Sequence, residues 1–165
     1  MPNKIEELLA HDSWAASSGE RGGTPFVLRF RTPVIAPGDV VSHRALLQVV
    51  WIYADEDSGA MPTDDDSVQM EVFENRLVEA WEHDALAFLA AVLTFDGARQ
   101  WVFYTHDVAT CGQRLNEMPQ EEEPYPIELT TGDDPAGSYL HDEILKTVDW
   151  QQHQSAWEQA LGALD

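Results

Sequence analysis

The chain has 165 residues, 44% of them hydrophobic, which suits one domain with an ordinary packed core. Its 30 acidic residues outnumber the 9 basic ones, so the net charge is −21. Because contacts to phosphates need Lys or Arg, this charge argues against nucleic acid and anionic membranes as partners. It is compatible with a basic protein partner, a bound cation, or solubility alone.

The sequence also bears on the cellular compartment. Cys111 is the only cysteine, so there is neither a disulfide framework nor a zinc-type cysteine pair. A lone cysteine is most often a small core residue. The first twenty residues lack the apolar run of a signal peptide, and no stretch approaches the ~18 apolar residues of a membrane span. We therefore expect a cytoplasmic protein without membrane contact.

The first 24 residues are expected to form an N-terminal extension. Residues 3–11 carry apolar positions at helical spacing and predict a short helix. The glycine-rich stretch 19–24 is expected to be a linker. Residues 25–31 then alternate between apolar and polar positions, which is typical of a half-buried strand.

A β-hairpin over residues 85–104 is the element around which the chain is organised. Two apolar runs flank Asp96-Gly97, and an Asp-Gly pair supplies the positive φ angles of a tight two-residue turn. Such a turn places alternate side chains on opposite faces. One face is expected to carry Leu89, Ala91, Leu93, Phe95, Val102 and Tyr104, and the other Phe88, Ala90, Val92, Trp101 and Phe103.

The elements on either side of the hairpin follow from similar signals. Residues 43–54 are the longest predicted strand, and residues 63–84 predict an amphipathic helix with Thr63 as its N-cap. A second helix is predicted over 107–118 with Asp107 as its cap. Residues 125–130 predict a strand at a sheet edge, because Pro126 has no N–H to donate to a ladder.

Two further helices are predicted in the tail, over 138–148 and 150–164. The second has an apolar stripe at helical spacing, formed by Trp150, Trp157, Leu161 and Leu164. Both faces of the hairpin are apolar, yet two helices cover only one face of such a sheet. The tail is therefore expected to cover the other face, with a second subunit as the alternative.

The order of elements from residue 43 onward is β-α-β-β-α-β, which predicts a ferredoxin-like α+β fold. The expected spatial order of those four strands is fourth, first, third, second. The extra N-terminal strand either extends the edge beside strand 86–95 or pairs elsewhere. The predicted organisation is thus an extension over 1–24, a ferredoxin-like core over 25–131, and a C-terminal helical tail over 132–165 that packs on the sheet.

The predicted topology brings four acidic segments to one end of the sheet, which we term the acidic pole. Each run alone is typical of a solvated loop, so the prediction depends on their convergence. The set contains ten of the 30 acidic residues of the chain. A partner-binding surface is expected there, formed by Asp55, Glu56, Asp57, Asp64, Asp65, Asp66, Asp96, Glu121, Glu122 and Glu123.

Other site chemistries find weaker support in the sequence. A divalent cation at the acidic pole is one alternative, but the D-x-D-x-D-G spacing of a calcium loop is absent, and we expect no metal and no cofactor. His83, His106 and His141 each precede an acid, yet adjacent side chains point apart in helices and strands. No G-x-S-x-G motif occurs and Cys111 has no visible activating base, so no catalytic residue is assigned.

A set of motifs over residues 24–139 resembles a bacterial family known as domain of unknown function 695. The motifs are PFVLRFR, VVWIYA, the Met61-Pro62 turn, a helix with Glu74, TFDGARQWVFYTHD, a helix with Asn116, YPIEL, and an Asp-Asp-Pro run before Tyr139. Where the family often has an aromatic residue, this chain has Ala136-Gly137-Ser138. The resemblance implies a ferredoxin-like α+β domain and no activity. Members are sometimes joined to a domain similar to the ribonuclease E inhibitor family, which implies a regulatory, protein-binding role.

The function predicted from these features is that of a non-enzymatic interaction or regulatory module, whose acidic pole binds a basic protein. A ribonuclease inhibitor or a toxin-immunity protein fits, because nuclease surfaces that bind phosphates are basic. The alternative is a small enzyme or ligand-binding domain with a cleft under the C-terminal tail. Self-association as the sole function is a third possibility, and the chain is expected to be a monomer or a homodimer.

Overall fold

A computed structural model describes residues 4–35, 42–55, 59–119, 121 and 123–146 of the chain. The fold is α+β, with one antiparallel sheet whose strand order is β1-β2-β4-β5-β3-β6. The elements in chain order are α1 (Lys4–His11), β1 (Ser13–Arg21), β2 (Thr24–Thr32), β3 (Ala45–Ile52), α2 (Asp64–Glu82), β4 (Ala87–Phe95), β5 (Ala98–Thr105), α3 (Val108–Glu117), β6 (Ile127–Asp133) and a π-helical turn at Leu140–Ile144.

The predicted hairpin is confirmed and forms the central pair of the sheet, β4 and β5. Asp96 and Gly97 have φ angles of 48° and 84°, as the Asp-Gly signal requires. A methyl group on Gly97 would lie 2.8 Å from the carbonyl oxygens of both Ala54 and Asp55. The turn therefore packs directly against the chain that leaves β3, and only glycine fits there.

The predicted faces of the hairpin are wrong near its start. The β4–β5 register shifts between Leu89 and Ala91, so the strand contains a bulge at Ala90. Phe88 and Ala90 consequently lie in the cluster with Tyr104, while Leu89 packs with Trp101 and Phe103 on the other face. An extra residue in one strand reverses the alternation beyond it, and this is the physical reason for the error.

The N-terminal region is part of the sheet. Strand β1 pairs with β2 along its whole length, and Gly22-Gly23 is the turn between them, so the linker expected over 19–24 is wrong. The sequence SWAASSGER lacks apolar alternation because β1 is an edge strand in which no residue is buried. Strand β2 in turn pairs with β4, which is one of the two placements left open by the sequence.

Helices α2 and α3 begin where the sequence places them. The Thr63 hydroxyl accepts a hydrogen bond from Asp66 N, and the Asp66 carboxylate accepts one from Thr63 N, so the two residues form a capping box. Asp107 caps α3 by accepting from Thr110 N. No helix in the described part of the chain is long and apolar enough to cross a membrane.

Each face of the sheet carries its own core. Helices α2 and α3 cover one face, where Phe73, Trp81 and Trp101 are fully buried. Helix α1 and the π-helical turn cover the other. Within the predicted helix 138–148 lies this turn, and the Asp134 carboxylate accepts from Ser138 N and Tyr139 N just before it. The predicted helix 150–164 and its stripe lie outside the described residues.

Candidate functional site

Two valines on the surface of α2, Val68 and Val72, are exposed to solvent. The buried stripe of α2 is Met70, Phe73, Leu77 and Trp81. Val68 and Val72 lie off that stripe, one helical turn apart, and are 61% and 40% exposed. Apolar side chains grouped on the surface beside polar ones are typical of an interaction site.

These valines form one wall of a groove between α2 and the loop that leads into β6. The opposite wall is held in place by Tyr125, whose ring centroid lies 4.6 Å from that of Phe73 and 5.8 Å from that of Trp51. The groove has a volume of about 670 Å³, which suits a few side chains of a bound segment. It is lined by Trp51, Val68, Gln69, Val72, Glu121, Glu123, Pro124, Tyr125 and Pro126.

Arg76 contacts two of the residues that line this groove, Glu121 and Tyr125. Its guanidinium donates to the Glu121 carboxylate at 2.9 Å, to the Pro119 carbonyl at 3.4 Å and to the Tyr125 hydroxyl. Helical spacing puts Arg76 one turn beyond Val72, and puts Asp65 one turn before Val68 on the same side of α2. Arg76 thus ties α2 to the opposite wall of the groove, and Asp65 lies further along α2 toward its N-terminus.

Two of the acidic-pole residues, Asp66 and Asp96, carry charges that act on the Tyr53 phenol. The backbone carbonyl of a third, Asp55, lies beside the Gly97 turn. Burial is the main reason that the pKa of Tyr53 is raised. Two of these acids serve the fold, since Asp66 closes the capping box and Asp96 accepts from Gly59 N at 2.9 Å.

The other acidic-pole residues fall into two groups. Glu121 and Glu123 line the groove, while Asp64 and Asp65 are exposed in the first turn of α2. Glu121 is paired with Arg76, and no ion pair involves the other three within the described residues. Glu56, Asp57 and Glu122 lie outside the described residues. The expectation that all ten form one partner-binding surface stays a prediction.

The opposite flank of α2, facing β2, is built differently, and we term it the ionic flank. Glu74 binds the Arg29 guanidinium and accepts from the Trp101 indole nitrogen at 2.8 Å. Arg31, whose side chain is 3% exposed, lies 3.3 Å from the Glu82 carboxylate. These charged side chains form ion pairs with one another within the fold.

Glu82 has a further task in the ionic flank. Its carboxylate accepts from Leu89 N at 2.6 Å, at the residue where the β4 bulge begins. Burial raises the pKa of Glu82, while Arg31 opposes that shift. The guanidinium of Arg31 also donates to the carbonyl oxygens of Leu89 and Leu8. The pair therefore ties α2, β4 and α1 together.

His141, His43 and Cys111 all contact groups within the fold. His141 contacts the Ile35 carbonyl at 2.5 Å, and His43 lies between Ser42 and the Ala85 carbonyl. Cys111 is fully buried, as expected of a core residue, and burial raises the pKa of its thiol. Within the described residues no group of three or more His, Cys, Asp or Glu side chains is arranged to hold a metal ion.

Sequence reasoning missed most of the groove. The charge pattern predicts the acids Glu121 and Glu123 but not the apolar wall, because the apolar periodicity of α2 indicates only its buried stripe. The available signal was the pair Val68 and Val72, which are four residues apart and off that stripe. No signal pointed to Trp51 and Tyr125 as neighbours, since they are far apart in the chain and meet only through β3 and β6.

The fold and the composition define an acidic α+β domain with a groove beside α2. A family profile described as Family of unknown function (DUF695) matches residues 12–145, which is most of the chain. The chain belongs to this family, and the resemblance drawn from its motifs is confirmed. No curated protein and no solved structure matches the chain significantly.

Proposed function

We propose that this protein is a non-enzymatic, acidic interaction module that binds a basic segment of a protein partner in the groove beside α2. The observation that carries the proposal is the pairing of exposed apolar side chains, Val68 and Val72, with carboxylates at Glu121 and Glu123. Apolar area contributes binding free energy on burial, and the acids favour a partner with Lys or Arg.

The distribution of the basic residues supports this assignment. Most of the described basic side chains contact carboxylates of the protein itself, namely Arg29, Arg31, Arg44, Arg76, Arg114 and Lys146. Since the chain has 30 acidic and 9 basic residues and charged side chains are mostly at the surface, the surface carries a large surplus of negative charge. A basic partner is steered toward such a surface and an acidic one is repelled.

The proposal includes a regulatory role of the kind played by nuclease inhibitors and immunity proteins, which cover basic surfaces with acidic ones. It also includes the ferredoxin-like assignment, with the β1–β2 hairpin as an addition beside β4. That assignment is supported by the neighbours β6-β3-β5-β4 within the sheet and by the crossover of α2 from β3 to β4.

The test uses a labelled peptide of alternating Lys and Leu as the probe, and the same peptide with Glu in place of Lys as its comparison. Fluorescence anisotropy at low and high salt measures the dissociation constant. We expect the Lys peptide to bind, salt to weaken it, and the Glu peptide to bind far less. The double variant Glu121→Lys/Glu123→Lys should weaken binding roughly tenfold or more, since each contact contributes about 1 kcal/mol in water.

Any highly acidic protein attracts a basic peptide to some degree, so the control must keep the net charge equal. Glu7→Lys/Glu20→Lys makes the same charge change on α1 and on β1, at the sheet edge opposite β6. Equal weakening by the two double variants would show that the attraction is general and that the groove is not the site. Binding that is insensitive to salt would also count against the proposal.

A further inference from the structure

Strand β6 ends the sheet and has one unpaired edge. It pairs with β3 on one side, and the strand order places nothing described on its other side. An open edge offers N–H and C=O groups to any extended segment that aligns with it. Edge strands of native sheets are usually short, twisted or covered. An uncovered edge strand next to a groove is therefore a candidate binding surface.

The hydrogen bonds at the two ends of β6 identify the groups that face outward. Ile52 N donates to the Pro126 carbonyl, and Asp134 N donates to the Arg44 carbonyl. In an antiparallel ladder, residues bonded to the partner strand alternate with residues that point away from it. The even-numbered residues of β6 therefore face β3, and the outward N–H and C=O groups belong to Leu129, Thr131 and Asp133.

The groove continues directly from this edge. Pro126 lines the groove and immediately precedes Ile127, the first residue of β6. Leu129 is paired in register with Val49 and so shares the α2 side of the sheet, where it is 45% exposed. A segment aligned with β6 thus has an apolar neighbour along the strand and an apolar groove at the end of the strand.

Charge distinguishes β6 from β1 at the opposite edge of the sheet. Strand β1 carries one acid and one base, Glu20 and Arg21. Strand β6 carries Glu128 and Asp133 and follows Glu121 and Glu123, while its nearest basic contact, Arg44, is paired with Asp133. The β6 edge therefore favours a segment with Lys or Arg side chains, and the β1 edge has no such preference.

We infer that an extended basic segment of a partner protein adds to the outer edge of β6 as a seventh strand, with an apolar side chain in the groove beside α2. Backbone hydrogen bonds to Leu129, Thr131 and Asp133 hold the segment, and its Lys or Arg side chains meet the acids around β6. This inference rests on the proposed function and specifies its binding mode.

The test is the variant Thr131→Pro, measured with the same Lys-Leu peptide. Proline removes an outward N–H and its ring blocks the approaching strand, while the bonds to β3 stay in place. We expect roughly tenfold or more weaker binding. Thr131→Ala keeps the N–H and should bind as the wild type does. Circular dichroism and urea unfolding check that Thr131→Pro is folded.

A second measurement decides the question even where Thr131→Pro does not fold. N-methylation of alternate residues of the peptide blocks one of its edges, and methylation of the intervening residues blocks the other. Strand addition predicts that one of these two series loses binding and the other keeps it. Equal binding of both series overturns the inference.

The outcomes separate this inference from the proposed function. If Thr131→Pro and the N-methylated peptides all bind normally while Glu121→Lys/Glu123→Lys weakens binding, the groove is used without strand addition. If no Lys-Leu peptide binds at all, the proposed function itself is wrong. A wild-type homodimer that Thr131→Pro dissociates, seen by light scattering, would assign the β6 edge to a second copy instead.

Discussion

Helix α2 has two flanks that use charge in opposite ways. On the ionic flank Arg29 and Arg31 are matched by Glu74 and Glu82, and the Arg31 and Glu82 side chains are only 3% and 11% exposed. On the groove side Glu121 pairs with Arg76 at a position where its side chain is 58% exposed, and Glu123 has no ion pair within the described residues; both stand beside valines that are open to solvent. Removing one partner of a buried ion pair destabilises a fold, whereas charges at a surface are available to a binding partner.

The largest effect should come from the ionic flank. Arg31→Met leaves the Glu82 carboxylate buried without its cation, which destabilises a protein by about 3–5 kcal/mol in comparable cases. Urea unfolding measures the loss. Peptide binding at the groove should not change under conditions where the variant is folded.

The matched control for that experiment is Arg44→Met. It breaks the pair with Asp133, in which both side chains are more than half exposed, so its effect on stability should be much smaller. If Arg31→Met costs no more than Arg44→Met, the ionic flank does not stabilise the fold and the comparison between the flanks fails.

A pH titration gives the next largest effect. The pKa of Glu82 is raised in the fold by burial, so its contribution to the free energy of unfolding is greatest at low pH. That contribution is lost as the pH rises through the folded-state pKa. Glu82→Gln does not titrate, so its stability relative to the wild type should rise with pH, by about 1.4 kcal/mol per unit of pKa displacement.

Urea unfolding at a series of pH values from about 4 to 7, around the ordinary pKa of Glu, measures that difference. Glu79→Gln, at an exposed position of the same helix, supplies the baseline. The quantity compared is the free energy of unfolding of Glu82→Gln minus that of the wild type. If this difference stays constant or falls as the pH rises, burial does not raise the pKa of Glu82 in the fold.

The smallest effect on stability is expected at the groove. Val68→Ser changes a side chain that is 61% exposed, so the free energy of unfolding should move by no more than about 0.5 kcal/mol. The same change should weaken binding of the Lys-Leu peptide several-fold, because the valine contributes apolar area that is buried in the bound state. If Val68→Ser lowers the free energy of unfolding but binds the peptide normally, then Val68 stabilises the fold and does not contribute to binding.

Several elements could be predicted from the sequence because their signals are local. The Asp96-Gly97 turn needs positive φ angles that these residue types supply, and Thr63 and Asp107 cap their helices through bonds to residues three positions away. The motifs also indicated the family correctly. In each case the physical cause lies within a few residues of the chain.

Strand β1 and the bulge in β4 could not be predicted in this way. Strand β1 lacks apolar alternation because it forms an exposed edge, and it is a strand only because β2 provides a partner. The bulge lies beside a long-range contact, in which Glu82 reaches across from α2 to accept from Leu89 N. Neither contact is visible in the local sequence.

The sequence by itself determined the hairpin, the two capped helices, the charge of −21 and the acids Glu121 and Glu123. Tertiary structure alone decided which acids are used by the fold and which face a groove. The physical reason is that a carboxylate has the same sequence signature whether it caps a helix, pairs with an arginine or faces solvent. Only the positions of Arg76, Val68 and Tyr125 around it separate these roles.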